Sequence, residues 1–274
     1  MSILIFKIDP AGNLPISTQA KTLDELTREL PQGFYTTFST LSKGTKVLGL
    51  HMHLQRLYVP AMEQGLKPFV DEPTLQTRIA GLVKVNLPKE SRIRLILTKN
   101  DGAIYVGIQP FEPLSKQIYE NGVNVVSVEL TRQSPRVKDT GFISSSIEQR
   151  KQVGGDVFEV LLTKNGKILE GMTSNFYVIK GKTLITAQSG ILLGVTRRAV
   201  LRLVRGQGMS IEYRAPKINE KFDEAFLTSS SRGVVPIVSI DNTPVGQGRV
   251  GKWARMLTMA YQAYVEERSE KLIE

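Results

Sequence analysis

Glu170 stands directly before Gly171 and a small polar turn, Thr173-Ser174-Asn175. Turned inward, its carboxylate can pair with a protonated heteroaromatic nitrogen; turned outward, it is an ordinary solvated acid. Farther on, Gly194-Val195-Thr196 opens a basic helical segment. The first N–H groups of a helix lack partners in their own turn and the dipole favours an anion, so such an end can seat a phosphate. The Thr196 hydroxyl adds a donor, although a plain threonine cap is the commoner use of these residues. Ser229-Ser230-Ser231 follows an apolar strand and either wraps an anion or forms a solvated turn. Arg56 can fork onto a phosphate, and Lys138, after Pro135-Arg136-Val137, can form a Schiff base if desolvated. By default each is one surface charge among 36 Lys and Arg.

The rest of the chain must build walls for these groups. Its 274 residues, 41% hydrophobic and 23% charged, suffice for one large domain or two modest ones. No apolar run approaches the roughly 20 residues needed to cross a bilayer, so no membrane partner is expected. Met1 to Asp9 has no basic leader or cleavage site and reads as a strand. The absence of cysteine excludes disulfides, thiolate catalysis and cysteine-ligated metals, and suggests a cytoplasmic protein. A net charge of +10 raises nucleic acid as a partner. Basic residues are spread without a block, however, and aromatics do not interleave with them, so no nucleic acid is expected. A basic surface that attracts small anions fits as well.

Capping and periodicity predict a short helix from Thr22 and strands at Gly33–Leu41 and Lys46–Leu50. An amphipathic helix from His51 should be broken or bent by Pro60, and another spans Leu75–Leu87. Ser91–Thr98 and Ala103–Ile108 flank Asn100-Asp101-Gly102 as a hairpin. The second half offers strands at Val123–Leu130, Val157–Thr163, Asn175–Ile179, Thr183–Thr186, Glu224–Thr228 and Pro236–Ile240. Helices are expected at Ser144–Gln152 and Thr196–Val204, with a long one from Trp253. The mixture implies an α+β architecture in two domains, 1–115 and 123–274, joined by a linker at 116–122.

Taken together, Val137-Lys138, Leu169-Glu170-Gly171, Ser174-Asn175-Phe176, Leu193-Gly194-Val195-Thr196-Arg197 and Phe226-Leu227-Thr228-Ser229-Ser230 resemble the class IV (fold type IV) aminotransferases. Gly33-Phe34-Tyr35-Thr36-Thr37, His53-Leu54-Gln55-Arg56-Leu57, Asp241 and Val250-Gly251-Lys252-Trp253 extend the resemblance over nearly the whole chain. This family uses pyridoxal 5'-phosphate (PLP) and includes branched-chain and D-amino-acid aminotransferases, R-selective amine transaminases and aminodeoxychorismate lyase. The resemblance implies a smaller N-terminal α/β domain, a larger C-terminal β-rich pseudo-barrel, and a homodimer whose neighbour completes the substrate pocket.

It further implies that Lys138 forms the internal aldimine and shuttles the proton between Cα and C4′. Glu170 would pair with the pyridine nitrogen, keeping the ring an electron sink. Arg56, Val195, Thr196 and Ser230 would hold the phosphate, Leu192 or Leu193 would pack under the ring, Ser174 and Asn175 would line its edge, and Gly194 and Ser229 would also border the cofactor. Tyr35, Arg92, Arg94, Arg136, Ser231 and Arg232 are the candidate substrate binders. The implied activity moves an amino group from an amino acid or primary amine to a 2-keto acid, with 4-amino-4-deoxychorismate lysis as the alternative. Three departures stand out. Ile143 replaces the frequent Tyr five residues after the lysine, which points away from typical branched-chain enzymes. Thr36 replaces a common Glu. Lys99-Asn100-Asp101 stands where the D-amino-acid enzymes' Arg-x-His carboxylate trap would follow Thr98, which argues against a simple D-amino-acid enzyme.

Overall fold

Local signals set the first elements. Thr22 accepts the Glu25 N–H and starts the helix Leu23–Glu29, and Asp71 accepts the Thr74 N–H and starts Glu72–Val83. The latter helix begins before the predicted Leu75 and stops at Val83, followed by a 3₁₀ turn, Lys84–Asn86. Pro60 does not break its helix, which runs from Leu50 to Glu63. Only one internal hydrogen bond is forfeited near the helix end, while Leu54, Leu57, Tyr58 and Ala61 stay buried on the face that offsets the loss. The second predicted strand shrinks to Lys46–Val47, because Gly49 turns into the left-handed region and starts that helix.

The computed structural model describes residues 3–273 and divides into two units. Met1 and Ser2 of the predicted N-terminal strand, and Glu274 at the end of the predicted second domain, lie outside the described residues. The first unit comprises residues up to Glu112 together with Val137–Ser145 and the C-terminal residues from Arg268; the second holds Pro113–Arg136 and Ser146–Glu267. The sequence expectation of a single crossing at 116–122 is thereby corrected: Lys138 belongs with the N-terminal residues. The reason is backbone pairing. Tyr35 N–H donates to Lys138 O (2.8 Å), Thr140 N–H to Gly33 O (3.0 Å), and Gly33 N–H to the Thr140 hydroxyl (2.9 Å). The 138–140 segment thus behaves as an extra strand on the edge of Gly33–Ser39.

The first unit is a five-stranded antiparallel sheet in the order Gly12–Ile16, Leu4–Asp9, Ile104–Pro110, Ser91–Thr98, Gly33–Ser39. The Gly12–Ile16 strand, short and largely exposed, was not foreseen. Phe34, Phe38, Leu54, Leu57, Ile79, Ile93, Leu95 and Val106 form the core against the helices.

In the second unit six strands close on themselves: Asn175–Lys180, Glu224–Ser229, Gly233–Ile240, Val123–Glu129, Val157–Lys164 and Lys167–Gly171. Closure is made by the pairing of Asn175 with Glu170, and Phe176, Val178, Leu161, Leu227 and Val235 fill the core. Asn165-Gly166, both at positive φ, make the tight turn that joins two of these strands. The linker region contains a helix, Lys116–Asn121, and the predicted Ser144–Gln152 helix is two short ones, Gly141–Ser145 and Ile147–Arg150.

Candidate functional site

In the first unit the added strand carries Lys138 past Tyr35, whose buried ring lies 4.7 Å from the Lys138 ammonium, within cation–π range. Tyr35 itself packs with Ile96 and the fully buried Ile143. On the helix Leu50–Glu63, His53 and Arg56 are neighbours at i and i+3. His53 is buried, its Nδ1 sits 2.8 Å from the Thr36 hydroxyl, and its ring lies 4.9 Å from that of Phe38. Burial, then the charges of Arg56 and Lys138, push its pKa well below the usual 6.5, so it is neutral. Thr36, standing where the resemblance expects Glu, offers no charge to oppose this.

Of the candidate arginines here, Arg94 is committed to structure. Its Nη1 donates to Leu23 O (2.8 Å), Asp24 (2.6 Å) and Thr27 (2.9 Å), and its Nε to Thr37 (3.0 Å). These bonds commit its Nε and Nη1 to groups of its own unit. Arg92, half-buried, lies two residues earlier on the same strand, opposite Ser39 across the sheet.

In the second unit Glu170 is 2% exposed. Arg132, itself buried, donates from Nε to Glu170 Oε1 (2.8 Å) and from Nη2 to Met172 O (2.7 Å). The Leu192 N–H donates to Glu170 Oε2 (3.0 Å). The carboxylate is therefore oriented from two sides. Asn175 clasps the same loop, donating to Leu192 O (2.7 Å) and accepting from the Gly194 N–H (3.2 Å). A Cβ on Gly194 would run into the Asn175 amide oxygen, which explains why glycine is required there. Leu192 is buried and Leu193 is not.

The helix that follows is Val195–Gly206, capped by Gly194 and not by Thr196. Gly194 brings no side chain to the first N–H groups and the first turn holds no acid, so this end suits an anion. Thr196 is buried, with its hydroxyl 3.5 Å from that of Tyr261, a phenol that burial pushes up to about 12. Ser229 ends its strand, and half-buried Ser230 and Ser231 form the turn to Gly233.

A second network, absent from the sequence reading, ties the two turns of this unit together. Glu159 is buried, and its Oε2 accepts from Arg232 Nη2 (2.7 Å), Thr173 (2.6 Å) and Ser174 (3.3 Å). Arg232 Nε also donates to Ser229 (3.1 Å), so this candidate substrate binder bridges the two turns. Burial alone would raise the Glu159 pKa, but the Arg232 charge and the hydrogen bonds from Thr173, Arg232 and Val160 hold it below the usual carboxylate range. Arg136, exposed, donates to Gln188 O (2.7 Å). A cleft of about 760 Å³ in this unit is lined by Leu169, Gln188 and Tyr213 and not by Glu170. The strand is irregular here: Glu170 pairs with Leu162 and Ile168 with Thr163, which leaves Leu169 as an extra residue between them.

Sequence reasoning missed Arg132 and Glu159. An acid inside the apolar run Val157-Phe158-Glu159-Val160-Leu161 was the available signal for the second, since a buried charge demands a partner.

The class IV amino-transferase family model matches residues 33–240. The chain belongs to the class IV aminotransferases. It is 28% identical over 240 residues to a D-alanine aminotransferase of Bacillus licheniformis, covering 82% of this chain and 85% of that protein. It is 31% identical over 195 residues to a probable branched-chain-amino-acid aminotransferase of Thermotoga maritima, covering 68% and 70%. Among solved structures, a branched-chain amino acid aminotransferase crystallised with pyridoxamine 5'-phosphate superposes with a TM-score of 0.82 at 19% identity, covering 98% of each chain. The fold is thus that of fold type IV enzymes.

Enzymes of this class work with PLP. The donor chemistry of both residue groups fits that molecule. The second unit offers an oriented buried acid for a protonated ring nitrogen and a glycine-led helix end for a phosphate. The first offers a primary amine beside an arginine and a neutral histidine.

Proposed function

We propose that this protein is a PLP-dependent transaminase that moves an amino group from an amino acid, branched-chain, D- or related, or from a primary amine to a 2-keto acid. The observation that carries this reading is the buried Glu170 carboxylate, aimed by Arg132 and the Leu192 N–H in a chain of this family. When bound, PLP supplies a carbonyl that captures amines and a ring that takes up the electron pair of the broken Cα–H bond. Lys138 holds the cofactor through its amine and, once released, carries the proton taken from the substrate Cα. Glu170 faces the ring nitrogen, and the Arg132 pair keeps it from turning away. Arg56, the N–H groups of Val195 and Thr196, the Thr196 hydroxyl, Gly194, Ser229 and Ser230 bind the phosphate. Leu192 packs against the ring, with Ser174 and Asn175 at its edge. Tyr35, Arg92, Arg136, Ser231 and Arg232 border the substrate, the last as a clasp that fixes the shape of the pocket. The working form is a cytoplasmic homodimer.

The second reading is 4-amino-4-deoxychorismate lyase, releasing 4-aminobenzoate and pyruvate. It is compatible with Ile143, an aliphatic, fully buried residue at a position where the resemblance gives the lyases, and equally the D-amino-acid enzymes, an aliphatic side chain in place of the Tyr of typical branched-chain enzymes. Half-reaction spectra of the PLP-loaded protein with L- and D-amino acids and primary amines separate the two. Loss of the visible band with one of these donors, restored by a 2-keto acid, supports the transaminase. Silence toward all of them, with pyruvate released from aminodeoxychorismate, overturns it in favour of the lyase. Lys138→Ala is expected to abolish the band and lower turnover by at least about three orders of magnitude.

A further inference from the structure

We infer that Lys99 and Asp139 form a charge-balanced positioning pair that sets the pH at which the Lys138 amine becomes reactive. This rests on the proposal that Lys138 is the reactive lysine. Asp139 is the next residue along the chain, and its carboxylate pairs with the Lys99 ammonium. Lys99 follows the Ser91–Thr98 strand; its N–H donates to Gln32 O (2.9 Å), and its ammonium lies 5.1 Å from the centre of the Phe34 ring. The other Asp139 oxygen accepts the Gly141 N–H (2.7 Å) at the start of Gly141–Ser145. Phe34 and Asp139 are themselves bridged across the strand edge. Lys138 is thereby flanked by backbone bonds to Tyr35 on one side and by this ion pair on the other.

Stability is a poor reason for the pair. Its side chains are 32% and 24% exposed, and pairs this accessible contribute little. Its position is a better reason. Among the groups of this unit near Lys138 are Arg56 and neutral His53 from the Leu50–Glu63 helix and the Tyr35 ring. Asp139 is its chain neighbour, and strand alternation turns the Lys99–Asp139 pair to the Phe34 side, so the field of the pair reaches the amine across the strand and not by contact. With Lys99 removed, the Asp139 charge would stand unopposed one residue from Lys138 and hold its proton more tightly. With Asp139 removed, Lys99 would join Arg56 in loosening that proton. Lys99 also follows Thr98, where the resemblance would put the D-amino-acid enzymes' carboxylate trap, and it is engaged by this chain's own acid.

The two halves of the pair therefore predict opposite signs, which a merely structural clamp does not. The rate of Lys138 acetylation by acetic anhydride, followed by mass spectrometry across pH in the cofactor-free protein, reports the amine directly. Its midpoint is expected to rise by about half a pH unit in Lys99→Met and to fall by a similar amount in Asp139→Asn. The double variant and Lys99→Arg should both stay near the parent. The visible absorbance of the PLP-loaded protein, titrated with pH, should repeat the pattern. Shifts of the same sign in the two single variants, no shift in either, or a displaced midpoint in Lys99→Arg would overturn the inference. The acetylation arm needs no cofactor. If PLP fails to bind while the midpoints split, the pair stands and the cofactor assignment falls.

Discussion

The group around Lys138 and the group around Glu170 solve opposite electrostatic problems. Lys138 lies in a half-buried, cation-rich setting with Arg56 nearby and a histidine that burial and those two charges keep neutral. The Tyr35 ring face offers its amine a weak resting place. Glu170 is sealed from water and fixed by a buried guanidinium and a backbone N–H. A group that must change protonation and partner needs the first environment, and a group that must hold one charge in one orientation needs the second.

This contrast can be broken experimentally. The largest effect on folding is expected from Glu170→Ala, which strands the Arg132 charge in the interior and should destabilise the protein by about 3–5 kcal/mol in denaturant titration. Lys138→Ala, for all its effect on activity, should stay within about 1 kcal/mol of the parent. A smaller effect should follow Gly194→Ala. Its new methyl meets the Asn175 amide oxygen, so the loop must shift, at a cost of about 1–3 kcal/mol with weaker PLP binding by fluorescence titration.

The smallest effect concerns pH, and it separates the two regions again. His53 has a lowered folded pKa, so its contribution is present above about 6.5 and is lost as pH falls below that value. Glu159 also has a lowered folded pKa, but its contribution survives to the ordinary carboxylate range near 4.5 and fades only below it. Unfolding free energies measured from pH 7 to 3.5 should therefore fall in two stages. His53→Gln is expected to remove the first stage and Glu159→Gln to diminish the second, to which Asp71, Asp101 and Glu220, each held below the ordinary carboxylate range, also contribute; a single stage in the parent protein would contradict the assignment.

Much was open to inspection in the order of residues alone. Turn chemistry at Asn165-Gly166, caps at Thr22 and Asp71, and the alternation of Ser91–Thr98 are local, and each acted as its residues dictate. The family followed from short motifs because a site of this kind requires particular atoms at particular places in the chain, and those leave a pattern. Two departures from the expected elements had different sources, packing in one case and local backbone conformation in the other. Pro60 was tolerated because its helix buries a full apolar face, and a left-handed Gly49 cut short a strand.

What only the tertiary structure decided was partnership. That Arg132 serves Glu170, that Arg232 answers Glu159, and that Arg94 is turned away into a helix depend on which strands lie side by side. So does the grouping of Lys138 with residues a hundred positions earlier, through backbone bonds to Tyr35 and Gly33. Among 36 basic residues no spacing rule distinguishes these few. Coulomb attraction and desolvation act on distance in space, and residues far apart in the chain acquire that distance only when the sheet closes.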